Sequence, residues 1–159
     1  MKTIMILLVA MAAVLVITLT PIIRSQAAST IQLPDDFKVV PPDPSLSEGI
    51  KALSGKWTGE WVSSRGSPIP AMLVVEEIIS ETNTIIVHSV ATSRWSEGIW
   101  QRHKAEIWTK GKKVGIFFRA ENGRKIEFTL KDNGSLSGEA VFGSPRGDIT
   151  SSIVMKRVP

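Results

Sequence analysis

From Gly55 onward apolar side chains recur at every second position, and turn-forming residues interrupt them about every ten residues, the pattern of an all-β sandwich or barrel. Eight strands are predicted: Lys56 to Ser63, Ala71 to Ser80, Thr84 to Ala91, Arg102 to Lys110, Lys113 to Glu121, Lys125 to Lys131, Ser135 to Phe142, and Ile149 to Val158. Asn122-Gly123 and Asn133-Gly134 have the positive-φ chemistry of two-residue hairpins, and Lys110-Gly111-Lys112 is a third tight connection, so the fourth to seventh strands form a meander. The cleanest alternation sets Ile126, Phe128 and Leu130 against Lys125, Glu127, Thr129 and Lys131. Ala105 with Ile107, and Val114 with Ile116 and Phe118, continue the apolar face on neighbouring strands.

An eight-stranded sheet with one apolar face must find a second layer or close on itself, and no helix follows the strands to supply that layer. The prediction is an antiparallel up-and-down (meander) barrel of eight strands, whose interior can be filled by side chains or hold one small ligand. Ser45 to Leu53 predicts a short helix ahead of the first strand, with Ser45 or Ser47 as its cap and Glu48 in its first turn. Ala71 to Ile79 is apolar on both faces apart from Glu76 and Glu77, so its outer side needs a cover from the short helix or the segment before it.

The first 27 residues stand outside that domain. Ile4 to Ile23 carries no charge, follows Lys2 and ends at Arg24, which reads as an export signal or membrane anchor. Its length suits a span of the bilayer, whereas Pro21 and the small residues of Ser25-Gln26-Ala27 suit cleavage after Ala27. Residues 28–44 hold four prolines and read as an extended linker, leaving 45–159 as the domain. Both outcomes export the domain, as a periplasmic or secreted protein or as one anchored to the membrane by residues 4–23. The membrane is then a partner only through that segment, if it stays uncleaved.

The chain has no cysteine, so a thiol nucleophile, a zinc knuckle, a disulfide and an acyl-lipoprotein attachment site are all excluded. The formal charge of +4 is unevenly spread: residues 28–100 hold 9 acidic and 5 basic side chains, and 101–159 hold 6 and 12. In the basic half the cations alternate with apolar residues at strand spacing, which describes the solvated face of a sheet, and no nucleic-acid partner is expected.

Gly55-x-Trp57 at the start of the first strand, behind a short helix and ahead of a meander, resembles the lipocalin-like (calycin) barrels, most closely their compact bacterial members. The resemblance implies that Trp57 closes one barrel end while a basic side chain of the last strand, Arg157 or Lys156, lies across its ring. A cation over an indole face contributes about 0.5–2 kcal/mol. LSGKWTGEW is also similar to the first strand of the avidins, in which an asparagine two residues beyond the tryptophan helps hold biotin. Gly59 occupies that position, and the chain has no tyrosine, so the resemblance does not extend to biotin.

Trp61 shares the strand face of Trp57 and points inward nearer the other end. The segment TSRWSEGIWQRH between the third and fourth strands carries Arg94, Trp95, Glu97, Trp100 and His103, and binding residues concentrate on loops held by a rigid barrel. The expected ligand-contacting set is Trp61, Trp95, Trp100, His103 and Phe118, with Gly55, Trp57 and Arg157 as the structural closure. His88 and His103 are the only histidines, and no metal-ligand spacing joins them to Glu97 or Glu106, so one core and one surface histidine are expected, with no metal and no cofactor. Adjacent Glu76 and Glu77 point to opposite faces and cannot act together. No phosphate-cradling glycine loop and no serine-nucleophile elbow is present, and no catalytic residue is expected. The function expected is non-enzymatic binding of a small, largely apolar ligand. The alternative is a filled barrel whose outer surface or flap binds an envelope protein without an internal ligand, and the third reading is a small-barrel enzyme.

Overall fold

The computed structural model describes residues 31–63, 67–91, 99–143 and 147–159. The expected export or anchor segment lies outside them, and among the described residues no helix is long and apolar enough to cross a membrane. A helix α1 (Glu48–Lys51) precedes eight strands: β1 (Gly55–Ser63), β2 (Ile69–Ser80), β3 (Asn83–Val90), β4 (Ile99–Lys110), β5 (Lys113–Arg119), β6 (Lys125–Leu130), β7 (Leu136–Phe142) and β8 (Ile149–Val158). Each strand pairs antiparallel with the next, and β1 pairs with β8, so the sheet is a closed up-and-down barrel. Closure leaves no free sheet edge.

The two barrel ends differ. At one end β2–β3 and β4–β5 are joined by two residues each, and α1 packs across the opening with Ile50 and Leu53 buried against Trp57. The third connection at that end, 131–135, has five residues, and at the far end the connections 64–68, 91–98, 120–124 and 143–148 have five to eight. The core runs along the axis: Leu53, Trp57, Leu73, Ile86, Ile116, Phe128, Leu136 and Met155 are fully buried.

Two local details depart from the sequence reading. The helix is one turn rather than the expected nine residues, and neither serine caps it: Ser47 occupies the N-cap without a side-chain bond. Asp43 instead accepts from the Ser45 N–H at 2.8 Å, tightening the turn that leads in after Pro44. The Asn-Gly pairs do not form two-residue hairpins either. Gly123 and Gly134 have φ of 78° and 76°, while among the described residues none other than glycine has positive φ, so each loop is a type I turn followed by a left-handed glycine. Gly123 N–H donates to Ala120 O and Gly134 N–H to Lys131 O, both at 2.9 Å. Asn122 and Asn133 support these turns by accepting from the backbone N–H two residues on.

The proline-rich stretch supplies the missing cover for β2. Leu73 pairs with His88 and Val74 with Val87, so successive residues face opposite sides, and Val74, Val87 and Ser89 are wholly buried on the outer side. Residues 31–44 lie against them: Ser89 Oγ donates to Gln32 O, and Val40 N–H donates to Glu76 O at 2.7 Å. Arg102 fastens this segment, with Nε and Nη2 on the buried Glu76 carboxylate at 2.7 and 3.1 Å and Nη2 on Asp36 at 2.9 Å.

Candidate functional site

At the helix end the polar groups of the closure satisfy one another. Trp57 is fully buried, and its Nε1–H donates to Leu53 O at 3.0 Å. Arg157, its register partner on β8, carries its guanidinium 4.3 Å from the indole centroid and donates to Ser54 O and Ala52 O. These are carbonyls left over where the short helix ends, so one side chain provides a cation–π contact and a C-terminal cap. Gly55 makes room for it: a Cβ there would sit 2.6 Å from Arg157 Nη1, and its φ of 116° disfavours a side chain anyway. Lys156, the alternative basic residue, is exposed on the outer face.

Toward the far end the interior changes character. Trp61, His88, His103, Phe118 and Phe128 converge inside the barrel from five different strands. Phe118 is the hub: its ring centroid lies 4.8 Å from His103, 5.5 Å from His88 and 6.4 Å from Phe128. Trp61 meets His88 edge-on at 6.2 Å and Phe128 at 6.0 Å. The strand registers explain the meeting. His88 is opposite Gln101, and His103 is opposite Ile86, so the two histidines are diagonal neighbours on the inner face of β3 and β4.

Neither imidazole is the ordinary paired core histidine. Nε2 of His88 and Nε2 of His103 are buried without a hydrogen-bond partner among the described residues. Burial pushes the His88 pKa down to about 4, with His103 and Arg124 adding unfavourable positive potential. Burial also lowers the His103 pKa, opposed by the nearby Glu121. At neutral pH both rings are uncharged, and each offers one N–H and one lone pair. They are poor bases, and no carboxylate bonds either of them among the described residues. Among the described residues no group of three His, Cys, Asp or Glu side chains gathers there to hold a metal ion.

Of the expected ligand-contacting residues, the structure brings Trp61, His103 and Phe118 together. Trp95 lies outside the described residues, as do Arg94 and Glu97. Trp100 pairs with Ser89, whose side chain is on the outer face, so Trp100 projects outside the barrel and is 39% exposed. It does not join the interior cluster. The expectation of one core and one surface histidine is the principal correction, for both face the interior, and His88, 8% exposed, sits at the centre of the aromatic group. Phe128 is the second addition, placed inward by the same alternation that orients Ile126. Glu106 is on the outer, exposed side of β4 and cannot serve either histidine.

No protein-family model matches the chain, and no curated protein does. A solved structure described as a redesigned beta barrel is similar at a TM-score of 0.51 with 12% identity, covering 72% of this chain and 99% of the other. At that identity the likeness is one of fold.

Proposed function

We propose that this chain is an exported, lipocalin-like, non-enzymatic binding protein that holds a small, largely apolar molecule at the far end of its barrel. The observation that carries this reading is the pair of buried, unpartnered imidazole Nε2 atoms within an aromatic cluster. Leaving a buried polar atom unpaired costs about 1–3 kcal/mol, and a barrel selected only for stability has no use for two. A ligand with apolar walls around it and a few polar anchors is the default occupant of such a site. Ile69 and Ile99, which begin their strands at this end on the inward-facing register, are 42% and 58% exposed and give the rim an apolar lining. The closure by α1, Trp57 and Arg157 at the opposite end supports the lipocalin-like comparison and keeps the ligand end as the single working face.

Titrating the protein with a fatty acid, a porphyrin and an isoprenoid alcohol while following tryptophan fluorescence tests this. A saturable change that Trp61→Phe diminishes is expected. Silence across the panel favours the second reading, an envelope-protein partner on the outer surface. That reading draws on a groove of about 550 Å³ over the β1–β8 seam, where Val62 and Val154 are 49% and 62% exposed beside Glu60 and Lys156.

A further inference from the structure

The large apolar side chains exposed among the described residues are unevenly placed. Val62, Ile69, Ile99 and Trp100 are at the far end, on β1, β2 and β4, whereas Val154 is on the wall and Ile79 at the helix end. Val90 of β3, in register with Ile99 and Ala71, joins the four into one arc of the barrel mouth. Apolar side chains gathered in this way mark a contact surface, where single ones do not.

The course of residues 31–44 decides what the arc faces. Gln32 O accepts from Ser89 Oγ, and Ser89 is in register with Trp100 near the mouth. Asp36 then pairs with Arg102, and Val40 N–H donates to Glu76 O, each step closer to the helix end. The chain therefore enters the domain at the far end, beside Trp100. Only eight backbone steps separate Ile31 from Ile23, where the uncharged N-terminal run stops, so the two are at most about 29 Å apart.

Resting on the anchored outcome for residues 4–23, we infer that the arc of Val62, Ile69, Ile99 and Trp100 docks on the surface of the bilayer that holds the anchor. To present the helix end instead, the tether would have to retrace the wall, about 33 Å of strand from Ile69 to Ile79, which exceeds its reach. A tether this short makes the contact intramolecular, so four side chains too few to hold a free protein on lipid are enough. Trp100 fits the boundary it would meet, since an indole places its apolar body in lipid and its N–H among the headgroups. A second copy is the poorer occupant, because chains anchored in one membrane stand side by side with their mouths toward the lipid.

The absence of cysteine makes the test direct, as one introduced thiol can be labelled alone. Full-length chains carrying Val62→Cys, Ile99→Cys, Val154→Cys or Ile79→Cys are labelled with a polarity-sensitive fluorophore and reconstituted in phosphatidylcholine vesicles. A lipid-borne quencher at the headgroup–acyl boundary should remove at least about half of the emission at Val62 and Ile99 and leave that at Val154 and Ile79 unchanged. Trp100→Ser and, separately, Ile69→Ser should each lower the quenching at Val62 with cooperative melting preserved; if one variant does not fold, the other decides. Quenching at Val154 equal to that at Ile99 overturns the inference, because the wall then lies on the bilayer. So does a blue shift without quenching that grows with the number of chains per vesicle, which assigns the mouth to a second copy. Quenching that survives in both serine variants overturns the apolar contact. An alkaline carbonate wash reads the anchor independently: chain that stays on the vesicles with Val62 and Ile99 unquenched refutes docking alone, and chain that washes off refutes the anchor and the docking with it.

Discussion

Replacing His88 with leucine should make the barrel more stable at neutral pH and less sensitive to acid. His88 is 8% exposed, and its burial holds the folded-state pKa near 4 against 6.5 for a free histidine. Between those values the unfolded chain takes up a proton that the folded chain refuses. The contribution is therefore complete above about pH 6.5 and is lost as pH falls toward 4, for a total on the order of 3 kcal/mol. His103, whose pKa is also lowered by burial, acts in the same direction. Asp36, held low by the Arg102 guanidinium, and Asp43, held low by the Ser45 N–H, add acid sensitivity that the substitution does not touch. The informative quantity is thus the difference between the two proteins, each unfolded in urea at about pH 7.5 and about pH 4.5 with tryptophan fluorescence as the readout. The stability lost between these conditions should shrink by about 2–3 kcal/mol in His88→Leu. At the higher pH the variant should gain about 1–3 kcal/mol, because leucine fills a similar volume without an unpaired nitrogen. An unchanged pH dependence would refute the assignment of His88 as the buried titrating group. A variant that is less stable at neutral pH would show that Nε2 has a partner in the free protein.

Two further substitutions probe the frame of the site. Arg157→Met removes the guanidinium from the Trp57 face and from the Ser54 and Ala52 carbonyls, and should cost about 1–2 kcal/mol in urea unfolding because the group is partly solvated. Arg157→Lys should recover only part of this, since one ammonium cannot reproduce the planar fork. Arg102→Ala strands the Glu76 carboxylate, which is 7% exposed, and frees Asp36. It should cost about 1–3 kcal/mol and open residues 31–44 to limited proteolysis while the barrel itself resists.

The eight strands were legible because their alternation is local: Ile126 and Phe128, or Ala105 and Ile107, announce an inward face without reference to the rest of the chain. β2 and β4 begin earlier than their patterns indicate, at Ile69 and Ile99, because pairing continues past the point where alternation fades. His88 was not legible. Within NTIIVHSV the run from Ile86 to Ser89 is buried on both faces, since the core covers one face and residues 31–44 cover the other. Alternation vanishes when both faces are dry, and the cover comes from more than 40 positions away, as the Ser89–Gln32 bond spans 57 residues. Trp100 is different, for extending the His103, Ala105, Ile107 face back along β4 puts Gln101 inside and Trp100 outside. Its proximity to the barrel end in sequence outweighed parity. The Gly55, Trp57 and Arg157 geometry is readable in the sequence only through the resemblance of Gly-x-Trp to other barrels, because nothing local ties a first-strand tryptophan to a residue 100 positions later.

That separation also governs the order of assembly. Seven of the eight strand pairings join neighbours in sequence and can form as soon as each hairpin is complete, whereas the β1–β8 pairing waits for the whole domain. Until β8 arrives, the sheet is an open ribbon with two unpaired edges and a tryptophan without its cation. Arg157 is then the last contact made as well as the one that seals the helix end. The hazardous interval for this chain is the time between its seventh and eighth strands, when open edges invite pairing with another copy.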